Sequence, residues 1–180
     1  MKKRSRSKIF LLMLVALVGT VFLASVSSVQ AAQTVTTNKS WQKAKVIKKK
    51  GTYNINSKVK SAYIRFTAPK TATYTISVYN IRNWGKSSSE SDLVGQFWVN
   101  KESKRGGFVE PLKLKTNYGQ SQAFPLASKL VVNRWGNAGR NTTEKCLYSR
   151  YAKVKLKKGE TVYIQTDMAA NKYQCTLKIK

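Results

Sequence analysis

The chain has 180 residues, with 34 Lys and Arg against seven Asp and Glu, no histidine and two cysteines. The missing histidine removes the commonest general base, the usual zinc ligand and any Ser-His-Asp arrangement, and two cysteines alone cannot close a structural zinc site. A formal net charge of +27 makes polyanions the natural partners and repels cationic ones.

The first segment reads as an export signal. Residues 1–8, MKKRSRSK, hold five basic residues and no acidic one, and residues 9–26, IFLLMLVALVGTVFLASV, are an uncharged, almost unbroken apolar run. SSVQAA follows, with Val29 and Ala31 at the −3 and −1 positions of a signal-peptidase site, so cleavage is expected between Ala31 and Ala32. An uncleaved anchor is the rival, because about 18 apolar residues approach the length that spans a bilayer. Gly19 and Thr20 interrupt the run, and a cleavage-competent segment follows directly, which points to removal. Residues 1–31 are therefore read as a signal peptide and residues 32–180 as one exported basic domain, not membrane-embedded after cleavage. The signal takes five of the basic residues and none of the acidic ones, leaving 29 against seven and a net +22 on the exported part.

After residue 32 apolar residues alternate with period two, and no helical stripe of useful length occurs. Trp41, Ala44 and Ile47 are spaced three apart, which suits one helical turn or an irregular lead-in that plugs the end of the fold. Ala62, Ile64 and Phe66 share one face of SAYIRFTAP, and Tyr74, Ile76 and Val78 share one face of TATYTISVYNI. The short Ala68–Thr71 turn between them predicts neighbouring strands. DLVGQFWVN (92–100) is apolar on both faces, which predicts a deeply buried strand with Trp98 in the core. Pro111 in FVEPLKLK (108–115) predicts an edge strand or a bulge, and SKLVVNRW (128–135) is a further strand. YAKVKLKKG (151–159) sets Ala152, Val154 and Leu156 against lysines and turns at Lys158-Gly159, with TVYIQT (161–166) returning antiparallel to it. In KYQCTLKIK, Tyr173, Cys175, Leu177 and Ile179 point inward. About eight or nine short antiparallel strands joined by turns predict an all-β fold, a single β-sandwich or jelly roll.

Two stretches, SAYIRFTAPKTATYTISVYN and AKVKLKKGETVYIQT with the terminal YQCTLKIK, together with the Trp41, Ala44, Ile47 and Gly51 lead-in, resemble the bacterial pre-peptidase C-terminal domain. The resemblance spans most of residues 38–180. It implies a secreted β-sandwich serving as a non-catalytic accessory module for secretion, localisation or substrate contact. Some members of that family bind calcium through acidic loops. The acidic residues present here (Glu90, Asp92, Glu102, Glu110, Glu144, Glu160 and Asp167) show no calcium-loop spacing, so neither metal nor cofactor is expected.

The remaining chemistry lies in cysteines and tryptophans. Cys146 and Cys175 stand 29 positions apart, and an exported context permits one disulfide between them, contributing roughly 3–4 kcal/mol. The alternative is two buried thiols acting as small hydrophobes. Long polar stretches at 80–91, 101–107 and 136–145 are expected as loops, where binding residues concentrate. Two of them place tryptophan beside cations: Arg82, Trp84 and Lys86 in the first, and Arg134, Trp135 and Arg140 around the last. A tryptophan so placed can stack on a sugar ring or base while the cations take phosphate or carboxylate; otherwise both rings pack over the sandwich ends. The expected protein is thus a secreted or cell-wall-associated, non-enzymatic domain that binds an anionic wall or extracellular polysaccharide. A protein partner in an exported complex and non-specific nucleic-acid binding are the alternatives.

Overall fold

Strands that bury one face each need a second layer to bury it against. The computed structural model, which describes residues 32–87, 90–116, 119–128, 132–134, 143–145 and 149–180, supplies that layer. One sheet has seven strands in the order β1 (Gln33–Thr36), β3 (Gly51–Ser57), β15 (Tyr173–Ile179), β5 (Ala72–Asn83), β13 (Ser149–Leu156), β8 (Leu114–Thr116) and β9 (Gly119–Ser121). The other has six: β10 (Phe124–Ala127), β6 (Val94–Glu102), β14 (Thr161–Met168), β4 (Ser61–Thr67) and β2 (Lys45–Ile47), with β7 (Val109–Pro111) also on β6. β11 (Val132–Arg134) and β12 (Thr143–Lys145) pair as a separate two-stranded ribbon. The β1–β3 and β2–β4 pairs are parallel, and the other pairs among the described residues are antiparallel.

The all-β sandwich is as expected, with thirteen strands in the two sheets rather than eight or nine. The additional strands, such as β1, β2 and β9, are three or four residues long, too short to display alternation, and the one strand expected over 108–115 is split into β7 and β8. The expected signal peptide, residues 1–31 with Ala31, lies outside the described residues, whereas Ala32 begins the compact unit Ala32–Lys180.

The inward positions follow the alternation. Ala62, Ile64 and Phe66, then Tyr74, Ile76 and Val78, then Ala152, Val154 and Leu156, then Tyr173, Cys175, Leu177 and Ile179 are all buried. The connections do not follow the sequence reading. The Ala68–Thr71 turn carries the chain from β4 in one sheet to β5 in the other, and the Lys158-Gly159 turn does the same between β13 and β14. Both pairs face each other across the core instead of pairing side by side. Phe66 meets Tyr74 edge-on with ring centroids 5.0 Å apart, so the burial that alternation requires is obtained across the sandwich.

Two tryptophans also depart from expectation. In β6, Phe97 and Val99 are fully buried, so the intervening Trp98 points away from the core on the outer face of the six-stranded sheet and is partly exposed. Apolar residues on both sides of this strand therefore do not mean burial on both sides. Trp41 does not plug the sandwich end. Residues 41–44 form a turn closed by the Ala44 amide donating to the Trp41 carbonyl (3.2 Å), and the indole rests edge-on against Tyr163, 5.1 Å away, outside the core cluster. Pro111 ends the edge strand β7, as expected, and the FVEPLKLK run then crosses to the other sheet at β8.

Gly95 of β6 allows the central pairing with β14. A Cβ there would lie 2.5 Å from the Asp167 carbonyl oxygen and 2.2 Å from the Met168 sulfur. The methionine tip can move; the paired backbone cannot without loosening the β6–β14 ladder. Gly95→Ala is expected to destabilise the domain by about 1–3 kcal/mol, read from the urea midpoint.

Candidate functional site

The two sheets differ sharply in charge. Among the described residues, the strands of the seven-stranded sheet contain Arg82, Lys115, Arg150, Lys153, Lys155 and Lys178 and no acidic residue. Those of the six-stranded sheet contain Lys45, Arg65 and Lys101 against Glu102, Glu110 and Asp167. Of the first group only Arg150 faces inward, where its Nε donates to the Pro125 carbonyl (3.0 Å). On the outer face, Lys153 of β13 is directly opposite Lys115 of β8, and Lys155 stands two positions further along. Like charges directly opposite on a sheet repel, so the pair is relieved by any anion laid over it. The Lys153 ammonium sits 5.9 Å from the centre of the Tyr151 ring beside it.

A bulge in β5 carries the basic face on to the loop that follows. Inward Val78 would set Asn80 inward by strict alternation, yet Asn80 adopts φ 51° and Ile81 is the buried residue. The β5–β15 register shifts at this point, so Asn80 and Ile81 together span one place on β15. Arg82 is thereby turned onto the solvent face, where its Nε donates to the Gln174 side-chain oxygen (3.1 Å) and the Gln174 amide donates to Asn56 (3.0 Å). Arg82 therefore belongs to a strand, not to the expected loop at 80–91, and a polar ladder across β3, β15 and β5 holds it.

Beyond Asn83 the chain turns with the Lys86 amide donating to the Asn83 carbonyl (3.1 Å) and Gly85 at φ 78°. Buried Ser91 closes the loop, accepting from the Asn83 amide and side chain at 2.9 and 3.1 Å. Trp84 projects from this turn 41% exposed, with Lys86 and Lys172 exposed beside it; its backbone N–H donates to the Lys172 carbonyl (3.3 Å). Of the two carboxylates in this loop, Asp92 lies beyond Ser91 next to β6, and Glu90 accepts from the Ser87 hydroxyl and amide at 2.7 and 3.0 Å. Those two bonds, with a smaller contribution from Lys86, lower its pKa. Its charge is thus directed at the loop's own groups, while Lys86 and Lys172 flank Trp84.

Of the residues picked from sequence, Arg82, Trp84 and Lys86 come together at one end of the basic sheet. Trp135, Arg140 and the Arg134 side chain lie outside the described residues, as does Cys146. Cys175 is a buried thiol in this structure, among Tyr173, Leu177 and Ile55, and burial pushes its pKa up to about 12, with Arg82 opposing; the expected bridge to Cys146 is left to experiment. The sequence reading missed Lys115, Lys153, Lys155 and Lys178 as a shared face, because their adjacency depends on strand order. The expected loop at 101–107 forms the tip of the β6–β7 hairpin, where a pocket of about 440 Å³ is lined by Lys104, Arg105 and the exposed Phe108. Lys101 at its base is ion-paired with Glu160, whose pKa is lowered first by that bond and then by the Lys157 amide. Compared with known proteins, the chain matches no family model and no curated sequence.

Proposed function

We propose that this is an exported, non-catalytic β-sandwich that binds an anionic cell-wall or extracellular polysaccharide, in keeping with the accessory role implied by its resemblance to pre-peptidase C-terminal domains. The segregation of charge carries the reading: one sheet presents Arg82, Lys115, Lys153, Lys155 and Lys178 outward with no acidic residue, and the exposed Trp84 stands at its end. Solubility alone would be served by cations spread over both sheets. A polymer laid along β13 and β8 meets the repelling Lys115–Lys153 pair and gains from relieving it, and Trp84 offers a ring on which a sugar can stack.

Retention on purified anionic wall polymer at 0.1 M salt tests the proposal. Lys153→Gln/Lys155→Gln and Trp84→Ala are each expected to weaken retention about tenfold. The control Lys48→Gln/Lys49→Gln, equal in charge removed, should change it twofold or less. Retention should also fall tenfold or more by 0.5 M salt as the charges are screened. Equal losses in both double variants would show that net charge alone binds, and equal retention on duplex DNA would favour a general polyanion sink.

A further inference from the structure

The outer face of the six-stranded sheet is built differently, and the polyanion reading leaves it unused. β4 and β14 contain no lysine, and the one lysine of β6, Lys101, sits at the strand's end bound to Glu160. Across the middle of this face the register sets Trp98 of β6, Gln165 of β14 and Tyr63 of β4 in one row. Two strand spacings put the Trp98 and Tyr63 backbones about 9.6 Å apart, and both side chains are partly exposed. Between them runs an amide ladder. The Asn100 amide donates to the Gln165 oxygen (3.2 Å), and the Gln165 amide donates to the Ser61 hydroxyl (3.3 Å). These bonds fix the Gln165 side chain in the plane of the sheet.

We infer that this face binds an uncharged polysaccharide strand, seated on Trp98 and Tyr63 and hydrogen-bonded to Gln165 and Ser61 between them, with buried Asn100 holding Gln165 in place. Rings separated by oriented amides suit a ligand that alternates C–H faces with hydroxyl groups, which is the chemistry of a sugar chain. The charge balance selects against the other occupants. Arg65 and Asp167 cancel within the central strands, so nothing here draws a polyanion, while the surrounding net positive charge repels a second copy of the domain. The protein then has two unlike faces, one for an anionic polymer and one for a neutral glycan, and can hold the two together.

Salt separates the two sites, because stacking and neutral hydrogen bonds survive conditions that screen charge. The full exported domain is mixed with insoluble chitin, cellulose or mixed-linkage β-glucan in 1 M NaCl, and depletion from solution is measured. Retention on at least one glycan is expected, weakened about tenfold or more by Trp98→Ala and by Tyr63→Ala. Circular dichroism checks each variant; if Trp98→Ala does not fold, Tyr63→Ala and Gln165→Ala carry the comparison. Absence of retention on all three glycans overturns the inference, as does retention that these variants leave intact. A wild-type dimer in sedimentation that Trp98→Ala converts to monomer also overturns it, since the face would then be covered by a second copy. Each result stands whether or not the anionic polymer binds the opposite sheet.

Discussion

Phe66→Ala is expected to lower stability by about 3–5 kcal/mol, whereas Trp98→Ala, which removes a larger side chain, should lower it by about 1 kcal/mol. Phe66 is fully buried and meets Tyr74 across the two sheets at the point where the chain arches from β4 to β5. Its truncation leaves a cavity between layers whose backbones are fixed by ladders on both sides, so little collapse can fill it. Trp98 stands outside the core cluster, beside Gln165 and partly exposed, so its truncation opens toward solvent and leaves no enclosed cavity between the sheets. Thermal unfolding reads the contrast. At about 2–4 °C per kcal/mol for a domain of this size, Phe66→Ala should drop the midpoint by roughly 10 °C and Trp98→Ala by a few degrees. Equal drops would place Trp98 in the core and overturn the proposed glycan face with it.

Alkaline pH is expected to destabilise the reduced protein through the pair of buried groups on β15. Burial raises the Cys175 pKa from its ordinary 9.0 to about 12. Below pH 9 the thiol is protonated folded and unfolded, and its contribution is fully present. Between pH 9 and about 12 only the unfolded chain releases the proton, so stability falls by roughly 4 kcal/mol across that window. Tyr173 acts in the same direction from pH 10 upward: it is raised chiefly by burial, and its hydroxyl lies 2.5 Å from the Thr166 hydroxyl. Cys175→Ala should remove the part of the loss that begins at pH 9, and Tyr173→Phe the part that begins at pH 10. Urea midpoints measured at pH 8, 10 and 11 give the comparison. The same series reads the redox state. If Cys146 and Cys175 are bridged, the thiol step is absent without reductant and appears with it; identical curves mean that no bridge forms.

Alternation carried much of the fold. It named the buried positions of β4, β5, β13 and β15, because a strand that buries one face leaves a period-two record wherever it runs for seven or more residues. Short strands left no such record: β1, β2 and β9 were not counted, and β7 and β8 were read as the single run FVEPLKLK. Pairing partners were equally hidden. A tight turn such as Lys158-Gly159 looks the same whether it closes a hairpin or bridges two sheets, since both outcomes bury the same alternating residues. The β5 bulge shows a further limit, for one extra residue at Asn80-Ile81 reverses the phase and brings Arg82 to the surface.

For the candidate site, sequence determined the residue types: a strongly basic composition, no histidine, and tryptophan beside cations at Arg82, Trp84 and Lys86. Composition is a property of the chain and can be counted without a fold. Tertiary structure decided where the charge collects. Lys115 and Lys153 are 38 positions apart in sequence and become direct neighbours through the β8–β13 pairing, while the central strands of the opposite sheet carry no lysine on their outer face. Strand order, a long-range outcome of packing both apolar faces into one core, turns an evenly basic sequence into one cationic sheet and one neutral aromatic sheet.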